Sequence, residues 1–408
     1  MKIGIITIGS ELLNGSRVDT NAHWIAKNVI LFGGEVISKK SILDNEADIA
    51  SALNYFLKTP IEMILITGGL GPTHDDITAN TLYEYFNDDP IFDSSYWDKL
   101  NKIFTSKGLD VSNLNKSQAF IPKKGEIIPN NLGTARGLSY NHENVRIIAM
   151  PGVPKEMKSM MNESVLPLIQ RLSKISINYK TLRTTGISES KLFNILEEAI
   201  GKFVDVNIAF LPSFLGVDLR ISGHNKISFD SALKEIFACI EYYIYSQNNE
   251  PLEEVVSKML IEKKITISTA ESCTGGHIGD RLTNISGVSS VYKGSIVAYS
   301  NDQKIKLLHV DEKTLKEHGA VSEETAVAMA IGVQKKFATN IGISTTGIAG
   351  PGGGTAKKPV GLVYIGFAYN GLSKAYKFNF KHDRVSNKMI SAQVALNIIR
   401  KNLEKLDK

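Results

Sequence analysis

An α/β chain of three domains is what this sequence predicts, and three observations predict it. Its 408 residues exceed what one hydrophobic core commonly organises. Short apolar runs recur, each followed by a polar or glycine-containing turn and a segment with helical spacing, which is the mark of βαβ units. One stretch, Ser246-Gln247-Asn248-Asn249-Glu250-Pro251, is polar, ends in proline and reads as a linker. With 43% hydrophobic and 22% charged residues there is material for several cores, and the composition is not that of a disordered chain.

Residues 1–170 form the first block. The apolar run after Met1 is too short for a signal-peptide core, so 2–8 reads as a strand. A helix at 20–32, a strand at 35–39, a helix at 46–58, a strand at 61–66 and a helix from 77 continue the alternation. Val145–Met150 reads as another strand before the turn Pro151-Gly152-Val153-Pro154. The second block, 175–247, reads as an α+β module: strand 177–184, helix 189–200, strands at 204–210 and 217–222, and helix 230–243. The third, 252–408, begins with a helix at 252–262 and a strand at 265–269. Strands at 294–299, 341–345 and 360–368 make it a second α/β unit.

Several function classes recede on composition. A formal charge of +5 is mild, and no basic tract or basic helix occurs, so nucleic acid is not an expected partner. No run reaches about 18 uncharged apolar residues, so no membrane partner is expected and the cytoplasm is the expected compartment. Cys239 and Cys273 do not make a disulfide framework, and Cys239, inside an apolar run, reads as a small buried hydrophobe.

The third block carries the sharpest chemistry. In Ala270-Glu271-Ser272-Cys273-Thr274-Gly275-Gly276, Ser272 stands where a strand gives way to a helix, with backbone N–H groups around its hydroxyl. A serine attacks an amide when a base removes its proton and donors hold the oxyanion. The alternative is that Ser272 only caps the helix. Tyr299 and Lys304, in Tyr299-Ser300-Asn301-Asp302-Gln303-Lys304, are the candidate bases, unless Lys304 is an exposed helix-start lysine. Cys273 with His277 is a further conceivable pair. After the strand at 341–345 comes Thr346-Gly347-Ile348-Ala349-Gly350-Pro351-Gly352-Gly353-Gly354-Thr355, able to bring main chain close to a ligand and to cradle a phosphate.

In the first block two motifs follow strands, where α/β sheets place ligands. One contains Glu11 and Asp19; the other is Gly68-Gly69-Leu70-Gly71-Pro72-Thr73-His74-Asp75-Asp76. Glycines here can admit a phosphate while the aspartates hold a divalent metal, or the glycines make the turn while Asp75 or Asp76 caps the next helix.

These residues carry a resemblance. The runs AESCTGG, YSNDQK, GAVS at 319–322, TTGIAGPGGGT and KPVG at 358–361 occur in order, and the whole chain resembles full-length proteins of the CinA (competence/damage-inducible) family. The resemblance implies a C-terminal amidase domain that converts nicotinamide mononucleotide to nicotinic acid mononucleotide and ammonia without a cofactor. Ser272 would be the nucleophile, Tyr299 and Lys304 its activating network, and Thr346 a substrate contact or network holder. Thr274, Gly275, Gly276, Gly350, Gly352 and Gly353 would line the substrate. The sequence departs from the family at Lys293-Gly294-Ser295, where a double glycine is common.

For the first block the resemblance implies a molybdopterin-binding-like α/β sandwich. Its site would either bind a pterin or nucleotide, or cleave ADP-ribose to AMP and ribose 5-phosphate with Mg, Mn or Co. Gly68, Gly69, Gly71 and Thr73 would contact the small-molecule nucleotide, and Asp76, Asp75, Asp19 and Glu11 would supply metal ligands. Arg136 stands where the family commonly has proline, and it could meet a phosphate or reach solvent. The middle block resembles a KH-like module, yet no GXXG clamp occurs in 175–247, so a connector or homodimer-forming role is expected instead of RNA binding. A different class stays open, that of a mainly non-catalytic interaction protein with relic sites.

Overall fold

A computed structural model describes residues 1–106, 108, 112–173 and 177–407. The domain limits expected at 175 and 408 fall outside them. The chain forms two compact units, Met1–Tyr179 and Lys180–Lys408.

The first unit is built on β1 (Lys2–Ile8), β2 (Glu35–Ile42), β3 (Met63–Thr67), the two-residue strands β4 (Ile91–Phe92) and β5 (Phe120–Ile121), β6 (Glu126–Ile128), β7 (Gly137–His142) and β8 (Val145–Met150). Six of these make one sheet in the order β2-β1-β3-β8-β7-β6. β2, β1, β3 and β8 are parallel, while β7 and β6 return antiparallel. Alternate residues serve opposite faces: Ile3, Ile5, Met63 and Leu65 pack into one core, Ile6, Ile8, Ile64 and Ile66 into the other. Gly4 lacks a side chain because the Phe56 ring fills that space, 2.6 Å from where a Cβ would stand. Helices Thr20–Val29, Glu46–Leu57 and Thr78–Tyr85 match the sequence reading to within a few residues.

A four-stranded sheet follows, β10-β11-β9-β12, from β9 (Asn178–Thr184), β10 (Val206–Ser213), β11 (Gly216–Gly223) and β12 (Ile244–Ser246). Helices Glu189–Lys202 and Lys226–Ile240 cover it. On the latter, Ile236 and Ile240 point inward four residues apart, which turns Cys239 out to solvent and corrects its reading as a buried hydrophobe. The stretch read as a linker is not free chain. Ser246 ends β12, its hydroxyl donates to Glu250, and Glu250 in turn pairs with Lys258 of the helix Leu252–Lys263.

The remainder forms a five-stranded sheet, β14-β13-β15-β16-β17, from β13 (Ile267–Glu271), β14 (Tyr292–Val297), β15 (Ile341–Gly347), β16 (Leu362–Tyr369) and β17 (Leu372–Asn379). β13 pairs in parallel with β14 and β15, so their carboxyl ends share one edge. The helix Glu323–Phe337 seats on this sheet at backbone distance. A Cβ on Gly342 would lie 2.1 Å from the Ala330 carbonyl oxygen, and one on Gly366 2.1 Å from that of Ala326. The helix Arg384–Glu404 packs on the opposite core through Ala392, Ala395, Leu396 and Ile399. Among the described residues no helix is long and apolar enough to cross a membrane.

Candidate functional site

β13 ends at Glu271, and Ser272 follows at once, its N–H donating to the Thr345 carbonyl across to β15 at 2.9 Å. The chain then turns through Gly275 and Gly276, at φ 64° and 97°, a region glycine enters without strain, into the helix His277–Thr283. Glu271 holds this turn. Fully buried, its carboxylate accepts from the N–H groups of Gly276 (2.9 Å), Ile278 (3.1 Å) and Gly279 (2.9 Å) and from the Thr274 hydroxyl (2.7 Å). Glu271 therefore does the capping that could have fallen to Ser272.

That hydroxyl meets Lys304. The Nζ lies 3.0 Å from Ser272 Oγ, 2.9 Å from the Ala298 carbonyl oxygen and 3.2 Å from that of Tyr299. Lys304 is 1% exposed, so it is not the solvent-facing lysine of the alternative reading, and burial pushes its pKa below the ordinary lysine range. The amine thus faces two main-chain carbonyls and the serine hydroxyl, with no carboxylate among its partners in the described residues.

Tyr299 requires a correction. Its phenol is 63% exposed and accepts from Arg384 Nη2 at 2.7 Å, so the oxygen it brings to Lys304 is its backbone carbonyl. Thr346 is buried and donates to the Ala320 carbonyl at 2.6 Å, tying β15 to the 319–322 segment. Thr274 is also buried, its hydroxyl shared by Glu271 and Thr345. It and Gly276, whose N–H serves Glu271, hold the turn and do not line the pocket; Gly275 does not line it either. Gly350, Gly352 and Gly353 do line it, opposite Ser272 and Lys304, in a cavity of about 260 Å³.

Cys273 and His277 do not form a pair. His277 lies near Asp280, and burial pushes the Cys273 thiol up to about 12, far from a working thiolate. Sequence reasoning missed Arg384, which bridges the Gly350 carbonyl and the Tyr299 phenol across the pocket mouth. It also missed Asn387, buried behind it and donating to the Ala349 carbonyl at 3.0 Å. A basic residue at a helix start facing a glycine-rich loop was the available signal. At the other departure from the family, Gly294 is needed, because a Cβ there would stand 2.7 Å from the Phe337 ring.

The first unit presents a smaller cavity, about 100 Å³, at the carboxyl ends of β1, β3 and β8. Glu11 and Asp19 line it, with Arg17, Asn21 and Thr67, but Asp75 and Asp76 do not. Asp19 caps the helix Thr20–Val29 through the Ala22 N–H at 2.9 Å and accepts from Thr7 Oγ1 at 3.2 Å. Asn21 donates to Thr67 and Gly152, while its buried Oδ1 has no partner among the described residues. Asp76 folds back on the N–H and hydroxyl of Thr73, and Asp75 is exposed beside His74. Neither caps the helix Thr78–Tyr85, which starts at Ile77 without a side-chain cap.

Gly68, Gly69, Gly71 and Thr73 lie outside the cavity lining. Gly68 and Gly69 permit close packing, against the Ile8 carbonyl and the Thr78 hydroxyl, and Gly71 makes room for the Asp76 carboxylate. The four expected acids thus fall in two places, and among the described residues no three His, Cys, Asp or Glu side chains gather for a metal ion. Arg136 does not reach open solvent. It pairs with Asp93 at 2.8 Å and stacks 3.7 Å from the Tyr96 ring centre. Hydrogen bonds from the Ser95 hydroxyl, the Tyr96 N–H and Arg136 hold the Asp93 carboxyl down at about 2.

Three family models match the chain: "Probable molybdopterin binding domain" over 4–171, "Damage-inducible protein CinA KH domain" over 179–246 and "CinA C-terminal domain" over 249–403. Relatives named competence-damage inducible protein match throughout. One from Caldicellulosiruptor saccharolyticus is 39% identical over 99% of both chains, and one from Clostridium perfringens is 40% identical over the whole of both. A solved structure from Agrobacterium tumefaciens, described as competence/damage inducible protein CihA, is 37% identical, covering 38% of this chain and 97% of its own with a TM-score of 0.36. One of a CinA superfamily protein from Klebsiella pneumoniae is 28% identical, covering 38% of this chain and 96% of its own at 0.37. An identity near two-fifths, sustained from end to end and across three consecutive domain models, places this chain in the CinA, or competence-damage inducible, protein family.

Proposed function

We propose that the C-terminal domain hydrolyses the carboxamide of nicotinamide mononucleotide to nicotinic acid mononucleotide and ammonia. The observation that carries this reading is the buried Lys304 amine 3.0 Å from Ser272 Oγ, its other hydrogen bonds taken by two main-chain carbonyls. Neutral Lys304 accepts the serine proton as Oγ bonds to the carboxamide carbon. The lysine returns that proton to the leaving nitrogen, the C–N bond breaks and ammonia departs. Water, deprotonated by the same lysine, then attacks the acyl-serine ester, the C–Oγ bond breaks, and the lysine returns the proton to Ser272 Oγ as the carboxylate product leaves. Incubating the full chain with nicotinamide mononucleotide should release one ammonia per nicotinic acid mononucleotide formed; an absence of both products would reject the proposal.

The lowered pKa of Lys304 sets the direction of the pH response. The working form is the neutral amine, so kcat should rise with pH and level off at a midpoint below the ordinary lysine value of 10.5. Stability follows the same sign. Between the folded and unfolded values the unfolded chain binds the proton, so the stabilising contribution is full above the unfolded value and lost as pH falls through the folded one. A pH–rate profile, with melting followed in parallel, checks both. A rate that falls as pH rises from neutrality would reject Lys304 as base.

For the N-terminal domain we propose nucleotide binding with cleavage of the pyrophosphate of ADP-ribose to AMP and ribose 5-phosphate. Its support is the unpartnered Asn21 Oδ1 beside Glu11 and Asp19 at the carboxyl edge of the sheet. Magnesium-class ions are commonly held by one or two carboxylates with substrate phosphates completing the shell, so Glu11 and Asp19 fit such an ion without a third acid. When bound, the ion would neutralise charge on the pyrophosphate. AMP formation from ADP-ribose should require added Mg, Mn or Co. Binding without turnover in all three would assign this domain to recognition of a nucleotide or pterin alone.

A further inference from the structure

We propose that the groove between β17 and the helix Arg384–Glu404 is a second ligand site of the second unit, one that takes a nucleoside 5′-monophosphate. It encloses about 330 Å³ and shares no residue with the Ser272 pocket. Its walls follow from the two periodicities. On edge strand β17, Lys374, Tyr376 and Phe378 alternate onto one face; on the helix, Val394, Asn397 and Lys401 recur at helical spacing on the facing side, and Lys405 follows at its C-cap. Tyr242, Tyr243 and the turn Thr185–Gly186 close the end of the groove.

The chemistry of this lining is one-sided. Four aromatic rings and three lysines contribute, and no carboxylate does. Lys401 is engaged, 3.3 Å from Glu404 and 3.8 Å from the Tyr242 ring centre. Lys374 lies 4.9 Å from the Tyr376 ring centre, and neither it nor Lys405 has an acidic partner among the described residues. Uncompensated ammonium groups beside aromatic faces suit a ligand that joins a flat heteroaromatic ring to a dianion: ring buried against Tyr and Phe, phosphate between the lysines. An uncharged nucleoside would forgo the ionic half, and inorganic phosphate the stacking half. The volume falls at the small end of the range of ligand pockets, as a mononucleotide requires.

The inference goes beyond the proposed amidase and does not depend on it. Calorimetric titration of the full chain with AMP tests it, with adenosine and inorganic phosphate as comparisons. Because AMP is the product of the reaction proposed for the N-terminal domain, the reading is the difference between wild type and Lys374→Glu, with Lys405→Glu as a second variant on another element. Each variant should lose one AMP per chain or weaken that event at least tenfold while kcat for ammonia release is unchanged, and adenosine should bind at least tenfold more weakly than AMP to the wild type. AMP binding of equal stoichiometry and affinity in wild type and both variants would overturn the proposal. So would a groove that takes no AMP because a second copy of the chain covers it, seen as a wild-type dimer that the charge reversals dissociate.

Discussion

Ser272→Ala is expected to lower ammonia release from nicotinamide mononucleotide by about 10⁴-fold or more, the scale seen when a serine nucleophile is removed. The fold should survive, because among the described residues the only side-chain hydrogen bond lost is the one from Lys304 to Oγ. The Ser272 N–H keeps the Thr345 carbonyl, and Glu271 keeps the turn. The informative companion is Cys273→Ala at the next position. That thiol is buried and pushed up to about 12, so its loss should cost some stability and only a few-fold in rate. Ammonia release measured for both variants, with melting curves alongside, decides the assignment: an active Ser272→Ala with an inactive Cys273→Ala would transfer the nucleophile to the neighbour.

Lys304→Met carries the second large effect. Methionine matches the length of the stem but neither accepts a proton nor donates one, so kcat should fall by about 10²–10⁴, the usual contribution of a positioned base. KM should move little if the lysine acts on the serine and not on the substrate. A structural cost accompanies it. The Ala298 and Tyr299 carbonyls lose their N–H donor, and a buried unsatisfied acceptor costs about 1–3 kcal/mol. Steady-state kinetics and a thermal melt separate the two effects. If the residual activity of Lys304→Met kept the wild-type pH profile, another group would be the base.

The parallel strands were readable because burial on both faces leaves continuous apolar runs, as in Met63-Ile64-Leu65-Ile66. β7, ending in Tyr140-Asn141-His142, and the largely exposed edge strand β17 lack that signal and went unread. β12, at three residues, was taken in part for linker, although Ser246 is buried. Within the site, Ser272 and Lys304 were both nameable from their runs, but their meeting depends on β13 lying parallel beside β14, across 32 residues of chain. Which oxygen of Tyr299 would serve was not legible, since sequence does not say whether a residue contributes its side chain or its carbonyl. Glu271 stood inside the quoted motif, yet its role appears only once two glycines at positive φ bend the chain back over its carboxylate. Asp75 and Asp76 illustrate the converse: adjacent acids after a glycine turn resemble a metal site, but one is spent on Thr73 and the other faces solvent.

The Glu271 clamp bears on how a substrate is received. A turn whose N–H groups already converge on an internal anion has its shape before anything enters the pocket. Little reorganisation is then left for the moment of reaction, and the free energy of binding need not be diverted to assembling the nucleophile. Such a site discriminates by fit to a finished mould, and whatever adjusts on binding must do so at the exposed Arg384–Tyr299 bridge across the mouth, leaving the serine's own turn in place.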